Sequence, residues 1–528
     1  MAQAQPTEVP LPLATYQLAD LRAGSKRLIG CYPEPAQQTQ PDDEEDQQPA
    51  SLRRWPGIST FTPSGLTNPL RGIWEMAGVV YAVVGFDLYT VSSAGAFTLV
   101  PGSASGIIGT GFVRMTDNGA CLVVLVPGTD TCYTYTPFTG GGGVQQLTNS
   151  FFLTLGGALD CWFVDSYIVF LANNNNGQGS YTFFNDDGRQ VSGNAQITFT
   201  TAASFNRQFG TDPFYGMCID HREILMFGSR SSEGFVNTGN PTGTPFSAAA
   251  DTYMTYGVHP SCPYSIALQD NSVIWVANDL TVRRRNGQTP TRISTAGVEA
   301  ILSNANKRGL LTGMYALSSP AGGPTWNGHP FYVLTIPLAE RTIVYDCVTQ
   351  QWFDLVSVLN GQEVQYRGLA YFNGFGKQLI GDSESGTIGY LDDTVQTEFG
   401  NANAPVVCAF TTQPLYKQNN RQIVRRVEAV VTAGQGPIPS GGQWISPGNP
   451  APGLVAPRIS LLLSDNWGET FDVSGDDSQT LGLPGDTDNR AIWWNIGQYY
   501  SLVLQFRVTD ASPTFTVDVT AYVEPCKW

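Results

Sequence analysis

The sequence predicts an all-β protein: a β-propeller of six or seven blades, a C-terminal antiparallel β-sandwich-like domain after it, and an extended N-terminal arm before it. Composition supports this, because the 528 residues include 57 Gly and 34 Pro and only 14% are charged. Such a composition is typical of turns between aromatic and β-branched strands. In addition, a unit of strand, polar turn and buried strand recurs between residues 70 and 395, and a different pattern begins near residue 400.

Residues 1–60 predict an arm rather than a packed domain. The segment QQTQPDDEEDQQPA is polar and has too few apolar side chains to order itself. It contains an acidic loop, which consists of Asp42, Asp43, Glu44, Glu45 and Asp46. The stretch SLRRWPGI follows directly, with two arginines, a tryptophan and a Pro-Gly turn. It could be a catalytic loop, a nucleic-acid contact, or a joint between the arm and the body of the protein.

Residues 61–398 predict the propeller. The recurring hairpins include residues 71–91, 112–136, 159–184 and 215–238. Their starts lie mostly about 40–55 residues apart, which is typical of propeller blades. A β-sandwich with turns every 8–12 residues or so would also fit the hairpins, but the period favours the propeller.

One helix is predicted over residues 293–309. Ser294 and Thr295 are candidate N-caps, and the segment ends at Gly309. Between them, Val298, Ile301 and Leu302 follow the spacing of one apolar helix face. We expect this helix to cap a loop of the propeller.

Residues 399–528 predict a separate antiparallel β domain. The run RQIVRRVEAVV alternates like a half-buried strand, and PRISLLLSDNWGETF continues the pattern. The Gly- and Pro-rich insert at 434–453 predicts a long exposed loop.

The net charge limits how the protein can meet nucleic acid. The formal charge is −16, whereas a sequence-independent DNA binder is basic because phosphate neutralisation supplies its affinity. We therefore expect that the protein does not bind nucleic acid through its whole surface. An acidic surface could still face DNA if its task is to avoid adhesion.

The cysteines predict assembly in a reducing compartment. Their number, nine, is odd, no C-x-x-C pair occurs, and most lie in apolar strand-like runs. Buried free thiols, as in a reducing cytoplasm, are expected. The N-terminus has no basic and apolar signal pattern, and no window approaches the length of an apolar membrane span, so no secretion signal and no membrane anchoring are predicted.

No residue set predicts a catalytic, cofactor-binding or metal site. Three histidines lie in different blades without ligand spacing: His221, His259 and His329. No nucleophile-elbow, Walker A or zinc-protease motif occurs. The pairs Asp186/Asp187 and Asp392/Asp393 could serve glycoside hydrolysis, but adjacent aspartates are more typical of solvated turns. We expect no enzyme and no cofactor.

Two further clusters have alternative interpretations. Within SDNWGETF, the residues Ser464, Asn466, Gly468 and Phe471 resemble the S-x-D-x-G-x-T-W box of sialidase-type propellers, with Asn in place of Asp; this box is a structural turn. The run TVRRRNG contains Arg283, Arg284 and Arg285. It predicts a solvated or subunit-contact strand end, or else a contact with an acidic partner or nucleic acid.

Motifs along nearly the whole chain occur in a characteristic order. They are LRRWPGI at 52–58, HREILMFGSRSSEGFVNTG at 221–239, RISTAGVEAIL at 292–302, TIVYDCVTQQWFDL at 342–355 and TTQPLYKQNNRQIVRRVEAVVTAG at 411–434. In this order the chain resembles the tail hub proteins of short-tailed (podovirus-type) bacteriophages, also called nozzle or packaged-DNA stabilisation proteins. The acidic loop and the insert depart from the family pattern, which leaves partner contacts less defined than the fold.

The resemblance implies a structural protein of the phage virion tail, assembled in the host bacterial cytoplasm. It implies a homo-hexameric ring below the portal and its tail adaptor, or head-to-tail connector. The ring would extend the DNA channel, help to retain the packaged genome, and anchor tailspikes, fibres or a needle during DNA ejection. Genomic DNA would pass through an acidic lumen without specific binding.

The resemblance also gives SLRRWPGI a role. It implies that Trp55 packs, that Pro56 and Gly57 turn the chain into the propeller, and that Arg53 and Arg54 meet acidic neighbours. Plain entry into the core with solvated arginines stays an open alternative. These five residues, together with the arginines of TVRRRNG, are the predicted subunit or arm contacts.

Two other classes compete with the tail hub. A carbohydrate-active propeller enzyme of sialidase or glycosidase type predicts a converging carboxylate pair with aromatic platforms in one mouth of the propeller. A propeller lectin predicts near-identical blades, whereas these blades differ. The absence of a signal peptide and the odd number of cysteines count against both.

Overall fold

A computed structural model describes most of the chain. The described residues are 5–18, 20, 24–34, 51–62, 65–104, 106–137, 143–173, 181–184, 197, 199, 203–240, 243–319, 321–417, 420–431, 456–472, 478–482, 490–510 and 515–525. The predicted acidic loop at 42–46 and the predicted insert at 434–453 lie outside them.

Seven four-stranded antiparallel units form a propeller, in agreement with the predicted all-β fold class. From blade 7 through blade 1 to blade 5, the first strands of neighbouring blades contact one another. Blades 1 to 3 consist of Leu70–Met76, Val79–Val84, Asp87–Val91 and Phe97–Leu99; Arg114–Asp117, Leu122–Leu125, Cys132–Tyr135 and Gln145–Gln146; and Ala158–Val164, Tyr167–Ala172, Tyr181–Phe184 and Ser204–Asn206.

Blades 4 to 7 complete the circle. Their strands are Phe214–Asp220, Glu223–Gly228, Ser232–Asn237 and Phe246–Met254; Ala267–Gln269, Ser272–Val276, Val282–Arg284 and Thr291–Arg292; Tyr315–Ala316, His329–Ile336, Arg341–Asp346 and Trp352–Leu359; and Gly368–Gly374, Lys377–Asp382, Ile388–Asp392 and Gly57–Thr62. In blade 6, Thr325–Trp326 and Gln362–Gln365 add short pairings to its second and fourth strands.

The propeller closes with a strand from the N-terminal side of the chain. Gly57–Thr62 is the outer strand of blade 7 and pairs with Ile388–Asp392, so that Ser59 lies opposite Tyr390. The remaining three strands of this blade come from residues more than 300 positions later in the sequence. The predicted boundary between residues 60 and 61 falls inside this closing strand.

Two-residue turns link the first and second strands in five blades. In each, both turn residues have positive φ: Ala77-Gly78, Asp165-Ser166, His221-Arg222, Asp270-Asn271 and Phe375-Gly376. Type I′ hairpin turns require this geometry because its twist matches that of the flanking strands. The short polar turns in the sequence thus define the repeating hairpins.

The C-terminal β domain has two sheets, and strands of the arm belong to both. The first C-terminal sheet contains, in order, Cys31–Glu34, Ser51–Arg54, Phe515–Pro525, Gln422–Val431 and Ala491–Tyr499, with Gln5–Glu8 beside Phe515–Pro525. The second contains Ser25–Ile29, Cys408–Thr411, Ser501–Val508, Arg458–Ser464 and Ser478–Thr480, with Tyr16–Gln17 and Leu415–Tyr416 paired at its side.

Large apolar side chains hold the two C-terminal sheets together. Trp493 of the first sheet packs edge-on against Phe506 of the second, with ring centroids 5.6 Å apart, and Phe410 stacks on Phe506 at 4.9 Å. Val427 and Val519 of the first sheet are fully buried in the same core. The alternation seen in RQIVRRVEAVV therefore reflects one face in the core and one outside.

The second C-terminal sheet is continuous with blade 6. Ser25–Ile29 lies between them: it pairs antiparallel with Cys408–Thr411 and, through Ile29 and Asp354, parallel with Trp352–Leu359. The result is a single sheet of thirteen strands that runs from the propeller into the C-terminal domain. A short hairpin, Thr397–Glu398 with Asn401–Pro405, connects blade 7 to the same domain.

The predicted helix is confirmed as Ala296–Lys307. Thr295 is its N-cap, and its hydroxyl accepts from the main-chain N–H of Val298. Val298 and Leu302 are buried against blades 5 and 6. Further helical segments are Ser150–Thr154 and the 3-10 turns Pro263–Ser265 and Pro337–Ala339. Among the described residues, no helix is long and apolar enough to cross a membrane.

Candidate functional site

The stretch SLRRWPGI joins the C-terminal domain to the propeller. The strand Ser51–Arg54 lies in the first C-terminal sheet, and the closing strand Gly57–Thr62 begins only three residues after Arg54. Trp55 stands between them at 1% exposure. Its ring lies 5.0 Å from Phe331 and 5.9 Å from Phe353, both in blade 6. We call this region, residues 51–58 with the blade 6 side chains around Trp55, the propeller joint.

The two arginines of the joint have different environments. Arg53 forms an ion pair of 3.1 Å with Glu34 on the neighbouring strand, and both side chains are about one third exposed. Arg54 is buried, and its guanidinium donates to the carbonyl oxygens of Asp510, at 2.6 Å, and Val406. Burial lowers the pKa of Arg54 below its usual value. A role of either arginine in subunit contact stays a prediction.

Pro56 and Gly57 are buried and bring the chain close to the end of blade 7. The Gly57 N–H donates to the carbonyl oxygen of Val395 at 3.1 Å. A Cβ atom at position 57 would lie 2.3 Å from the same oxygen. The close approach of two backbones therefore requires glycine at this position.

A buried carboxylate fixes the arm to blade 6. Asp354 is fully buried and accepts from Arg27 Nε at 2.8 Å and from an Arg341 terminal nitrogen at 3.1 Å. Burial alone would raise the pKa of Asp354, but the charges and hydrogen bonds of Arg341 and Arg27 outweigh it and hold the pKa below its usual value. Its main-chain oxygen also accepts from Gly30 N at 2.8 Å.

Gly30 permits the closest contact between the arm and the C-terminal domain. Its φ is +56°, in the left-handed region. A Cβ atom at this position would lie 1.9 Å from the carbonyl oxygen of Val407. The next residue, Cys31, is fully buried in the core shared by the two C-terminal sheets and blade 6. The arm thus contacts both parts of the molecule within three residues.

The predicted cluster Arg283, Arg284 and Arg285 has partners inside the chain. Arg283 is buried; it pairs with Asp279 at 3.0 Å, and its guanidinium carbon lies 3.5 Å from the centre of the Tyr256 ring. Arg284 pairs with Asp270 at 2.7 Å.

Arg285 reaches from blade 5 to blade 4, where it pairs with Asp220 at 2.7 Å and Glu223 at 2.8 Å. These side chains therefore contribute to contacts within and between blades. A contact with another subunit or with nucleic acid stays a prediction for all three arginines.

Aromatic side chains occupy the axis of the propeller. Phe112, which precedes blade 2, meets Tyr264, which precedes blade 5, edge-on with centroids 4.5 Å apart, and Tyr315 of blade 6 lies 6.3 Å from Phe112. Contact between such distant blades spans the centre. A small cavity of about 90 Å³ lies beside these rings.

One ion pair lines this central volume. Arg114 of blade 2 lies 3.2 Å from the buried Asp160 of blade 3, and its guanidinium packs 5.4 Å from the Tyr264 ring. Burial raises the pKa of Asp160, although the nearby Arg114 opposes the shift. The axis therefore holds a packed polar and aromatic plug rather than an open conduit.

The segment SDNWGETF forms a hydrogen-bonded turn. Ser464 Oγ donates to Asn466 Oδ1 at 2.7 Å and accepts from the Gly468 N–H at 2.9 Å. Asn466 Nδ2 donates to Thr470 Oγ1 at 2.7 Å. Phe471, the last residue of the motif, is half-buried. All the polar groups named serve the turn itself, in agreement with a structural role.

The acidic and metal-ligating residues of the described part of the chain do not form a metal-binding group. No group of three or more His, Cys, Asp or Glu side chains there could hold a metal ion. Asp392 accepts from Ser59 Oγ at 2.7 Å and from Thr394, so it belongs to a turn beside the closing strand. Asp393 follows it and is exposed. Asp186 and Asp187 lie outside the described residues.

The three histidines lie far apart in sequence, and Cys262 Sγ lies 3.8 Å from His259 Nδ1. His221 bonds to Asp220 at 2.6 Å, His329 bonds to Asp346 at 2.7 Å, and burial lowers the pKa of His259. The eight described cysteines are free and buried: Cys31, Cys121, Cys132, Cys161, Cys218, Cys262, Cys347 and Cys408. Burial raises the pKa of the Cys121 thiol to about 11, which makes it a poor nucleophile at neutral pH.

A family model described as "Bacteriophage P22 Gp10, beta-propeller" matches residues 43–396, more than half of the chain. The chain belongs to this family. The match includes four of the five acidic-loop residues, the propeller joint and all seven blades. The family is one of phage-stabilisation propellers, in agreement with the resemblance seen in the sequence. No curated protein sequence matches the chain.

Solved propeller structures are only distantly similar. The WD40 propeller domain of Doa1 is 10% identical over 64% of this chain and 97% of its own, with a TM-score of 0.36. Streptogramin B lyase is 11% identical over 63% and 97%, with a TM-score of 0.36. The exo-β-1,3-galactanase of Phanerochaete chrysosporium is 9% identical over 80% and 97%, with a TM-score of 0.29. These similarities carry no argument about function.

The sequence singled out SLRRWPGI but missed the residues that complete the joint. Arg27 and Gly30 lie outside the motifs given above, Asp354 lies inside TIVYDCVTQQWFDL without being singled out, and Arg341 lies far from the arm in sequence. An isolated arginine or aspartate in a strand gives no signal until its partner's position is known. Gly30, between LI and CY in an apolar stretch, was the one available indication of a close backbone approach.

Proposed function

We propose that the protein is a structural subunit of a phage virion tail, assembled in the host bacterial cytoplasm. Six copies form a hub or nozzle ring below the portal and its adaptor. The match of residues 43–396 to the phage-stabilisation propeller family carries this proposal. The continuous sheet between blade 6 and the C-terminal domain supports it, because a ring under load needs subunits whose domains do not move independently.

The DNA channel of this ring lies between subunits, not through a propeller. The rings of Phe112 and Tyr264 contact each other across the propeller axis. They leave no space there for a DNA duplex, whose major groove alone is about 12 Å wide. Each subunit contributes a formal charge of −16. An acidic lumen would let DNA pass during ejection without specific binding, because it repels the phosphates.

The proposed partners are the tail adaptor on one side of the ring and a tailspike, fibre or needle protein on the other. The arm offers contact groups for a neighbour through its acidic loop, whose five consecutive carboxylates suit a basic partner surface. Through these contacts the ring would help to retain the packaged genome.

We propose no catalytic activity for the protein. Asp392, the described member of the candidate carboxylate pairs with defined partners, is engaged by Ser59 and Thr394 in a turn. The central volume is lined by Arg114 paired with Asp160 rather than by two converging carboxylates at the spacing that glycoside hydrolysis requires.

Electron cryo-microscopy of the purified chain, alone and with isolated virion tails, tests the proposal. A sixfold ring with an axial hole between subunits, matching a layer of the tail, is expected. Persistent monomers in both samples would contradict it. A screen with chromogenic glycosides provides the counter-test, because turnover would favour the glycosidase class.

A further inference from the structure

The hairpin that connects blade 7 to the C-terminal domain contains a buried carboxyl group. Glu398 is 1% exposed and ends the strand Thr397–Glu398. Its Oε1 accepts from Ser357 Oγ of blade 6 at 2.9 Å. Ser357 Oγ in turn accepts from the main-chain N–H of Arg367 at 3.0 Å. Glu398 therefore touches blade 6 and the entry to blade 7 from the connecting hairpin.

The positive charge nearest to Glu398 is already engaged by another carboxylate. Arg367 donates to Asp382 through Nε at 2.9 Å and through a terminal nitrogen. The ring of Phe399, next to Glu398, packs on the same guanidinium at 5.3 Å. Asp382 is fully buried. Buried Arg367 thus lies near two buried carboxyl groups, those of Asp382 and Glu398. Of these two, Asp382 is the one whose side chain accepts hydrogen bonds from the guanidinium.

The second oxygen of Glu398 is also unusual. Oε2 is buried and has no hydrogen-bond partner among the described residues. An ionised carboxylate in such a place would leave one charged oxygen unsolvated, which is costly. The phenols of Tyr366 and Tyr315 are the other titratable groups nearby, and burial raises the pKa of both, so they stay neutral.

The groups around Glu398 shift its pKa in opposite directions, and burial has the largest effect. Burial raises its pKa, the Ser357 hydrogen bond and the Arg367 charge lower it, and the Asp382 charge raises it further, with a resulting value of about 8. The usual value is 4.5. Stability contributed by the neutral group is therefore complete below about pH 4.5, falls between there and about pH 8, and is then lost.

We propose that Glu398 is a proton-dependent lock on the connection between the propeller and the C-terminal domain. As a neutral acid it lets blade 6, blade 7 and the connecting hairpin pack around one matched Arg367–Asp382 pair. When it ionises, it adds an unmatched buried charge at their junction. The hairpin then loosens before the blades unfold.

Amide hydrogen exchange of the intact protein at about pH 6 and about pH 9, corrected for the intrinsic rate, tests this lock. In the wild type, peptides covering residues 395–406 should lose protection more than about tenfold on going to the higher pH, whereas peptides of blade 3 should not. The variant Glu398→Gln keeps the shape but cannot ionise, and it should show no such loss. Glu384→Gln, which changes an exposed carboxylate of blade 7, should behave like the wild type.

An equal loss of protection in the wild type and in Glu398→Gln would overturn the proposal, as would a loss spread evenly over all blades. Infrared spectroscopy of the wild type provides a readout independent of the variant. A protonated carboxylic acid band should be present near neutral pH and disappear above about pH 8. Absence of that band at neutral pH would also overturn the proposal.

Discussion

Trp55 shows how a single side chain can join separate parts of the chain. Its main-chain N–H donates to Gly30 of the arm at 2.9 Å, while its ring packs against Phe331 and Phe353 of blade 6. Because it is almost completely buried among aromatic rings, few other residues could fill its volume. The tryptophan in SLRRWPGI is therefore a packing residue in this structure.

Trp55→Ala should lower the free energy of unfolding by about 3–5 kcal/mol, the usual cost of removing a large buried aromatic side chain. Denaturant titration measures it. Trp494→Ala is the matched control, because Trp494 is 64% exposed, and it should change stability little. Equal effects of the two substitutions would contradict the assigned packing of Trp55.

Asp354→Asn should destabilise the protein by about 3–5 kcal/mol at neutral pH, because it leaves Arg27 and Arg341 without their shared buried carboxylate. The folded-state pKa of Asp354 lies below its usual 3.8. Its contribution is therefore present above about pH 4 and is lost as the pH falls through the folded-state value.

Thermal unfolding of the wild type and Asp354→Asn across acidic pH checks this dependence. The difference between the two midpoints should shrink as the pH falls below about 4. The exposed Asp393→Asn provides the control and should give a small difference at every pH. A difference between the wild type and Asp354→Asn that grows in acid would be inconsistent with a depressed pKa.

At the scale of elements, the hairpins of the blades are determined by residues close together in sequence. The pairing that closes the propeller joins strands far apart in sequence. Gly78 and the pair Asp270-Asn271 suit the left-handed φ that these turns require, so the hairpins could be predicted from short stretches of sequence. The closing strand Gly57–Thr62 could not, because its partner Ile388–Asp392 is more than 300 residues away. The predicted arm boundary consequently fell within a propeller strand.

Gly57→Ala should weaken this closure, since the added Cβ would lie 2.3 Å from the Val395 carbonyl oxygen. We expect a lower thermal midpoint and faster amide exchange in Ile388–Asp392. Gly106→Ala, whose Cβ would meet no atom closer than 3.4 Å, is the control. Unchanged exchange in blade 7 of the Gly57→Ala protein would argue against this close contact.

The candidate site shows the same limit of sequence reasoning. Trp55, Pro56 and Gly57 stood out because aromatic and turn residues are rare neighbours of a charged segment. Asp354 did not stand out. The sequence of a strand does not show whether an aspartate contacts water or, as here, two arginines. The arginine cluster at 283–285 attracted interest for its charge, but its acidic partners lie 4, 14 and 65 residues earlier in the sequence, at Asp279, Asp270 and Asp220.

On the scale of the whole molecule, the propeller and the C-terminal domain share one core. The arm strand Ser25–Ile29 pairs with both, and buried residues of blade 6 and of both C-terminal sheets belong to a single cluster. A domain that unfolds independently has a hydrophobic core of its own, so we expect parts that share one core and one sheet to unfold together. The structure therefore predicts one cooperative unit where the sequence suggested an arm and two domains.

Differential scanning calorimetry should give a single unfolding transition for the wild type. Gly30→Ala should split or broaden it, because the new Cβ would lie 1.9 Å from the Val407 carbonyl oxygen at the contact between arm and C-terminal domain. Gly287→Ala carries a similar positive φ of +60° but its Cβ would meet nothing within 4 Å. It should lower the midpoint slightly and keep one transition; two well-separated wild-type transitions would contradict the shared core.

Strands near the N-terminus pair with strands near the C-terminus, and this pairing determines when during synthesis the chain can complete its fold. Ser51–Arg54 emerges from the ribosome long before Phe515–Pro525, its neighbour in the first C-terminal sheet. Until then, the edge of Ser51–Arg54 that pairs with Phe515–Pro525 has no strand beside it, and exposed strand edges are prone to aggregation. Chains cut short before residue 515 would lack the central strand that joins Ser51–Arg54 to Gln422–Val431 in this sheet. Only chains synthesised through Phe515–Pro525 can therefore complete the fold.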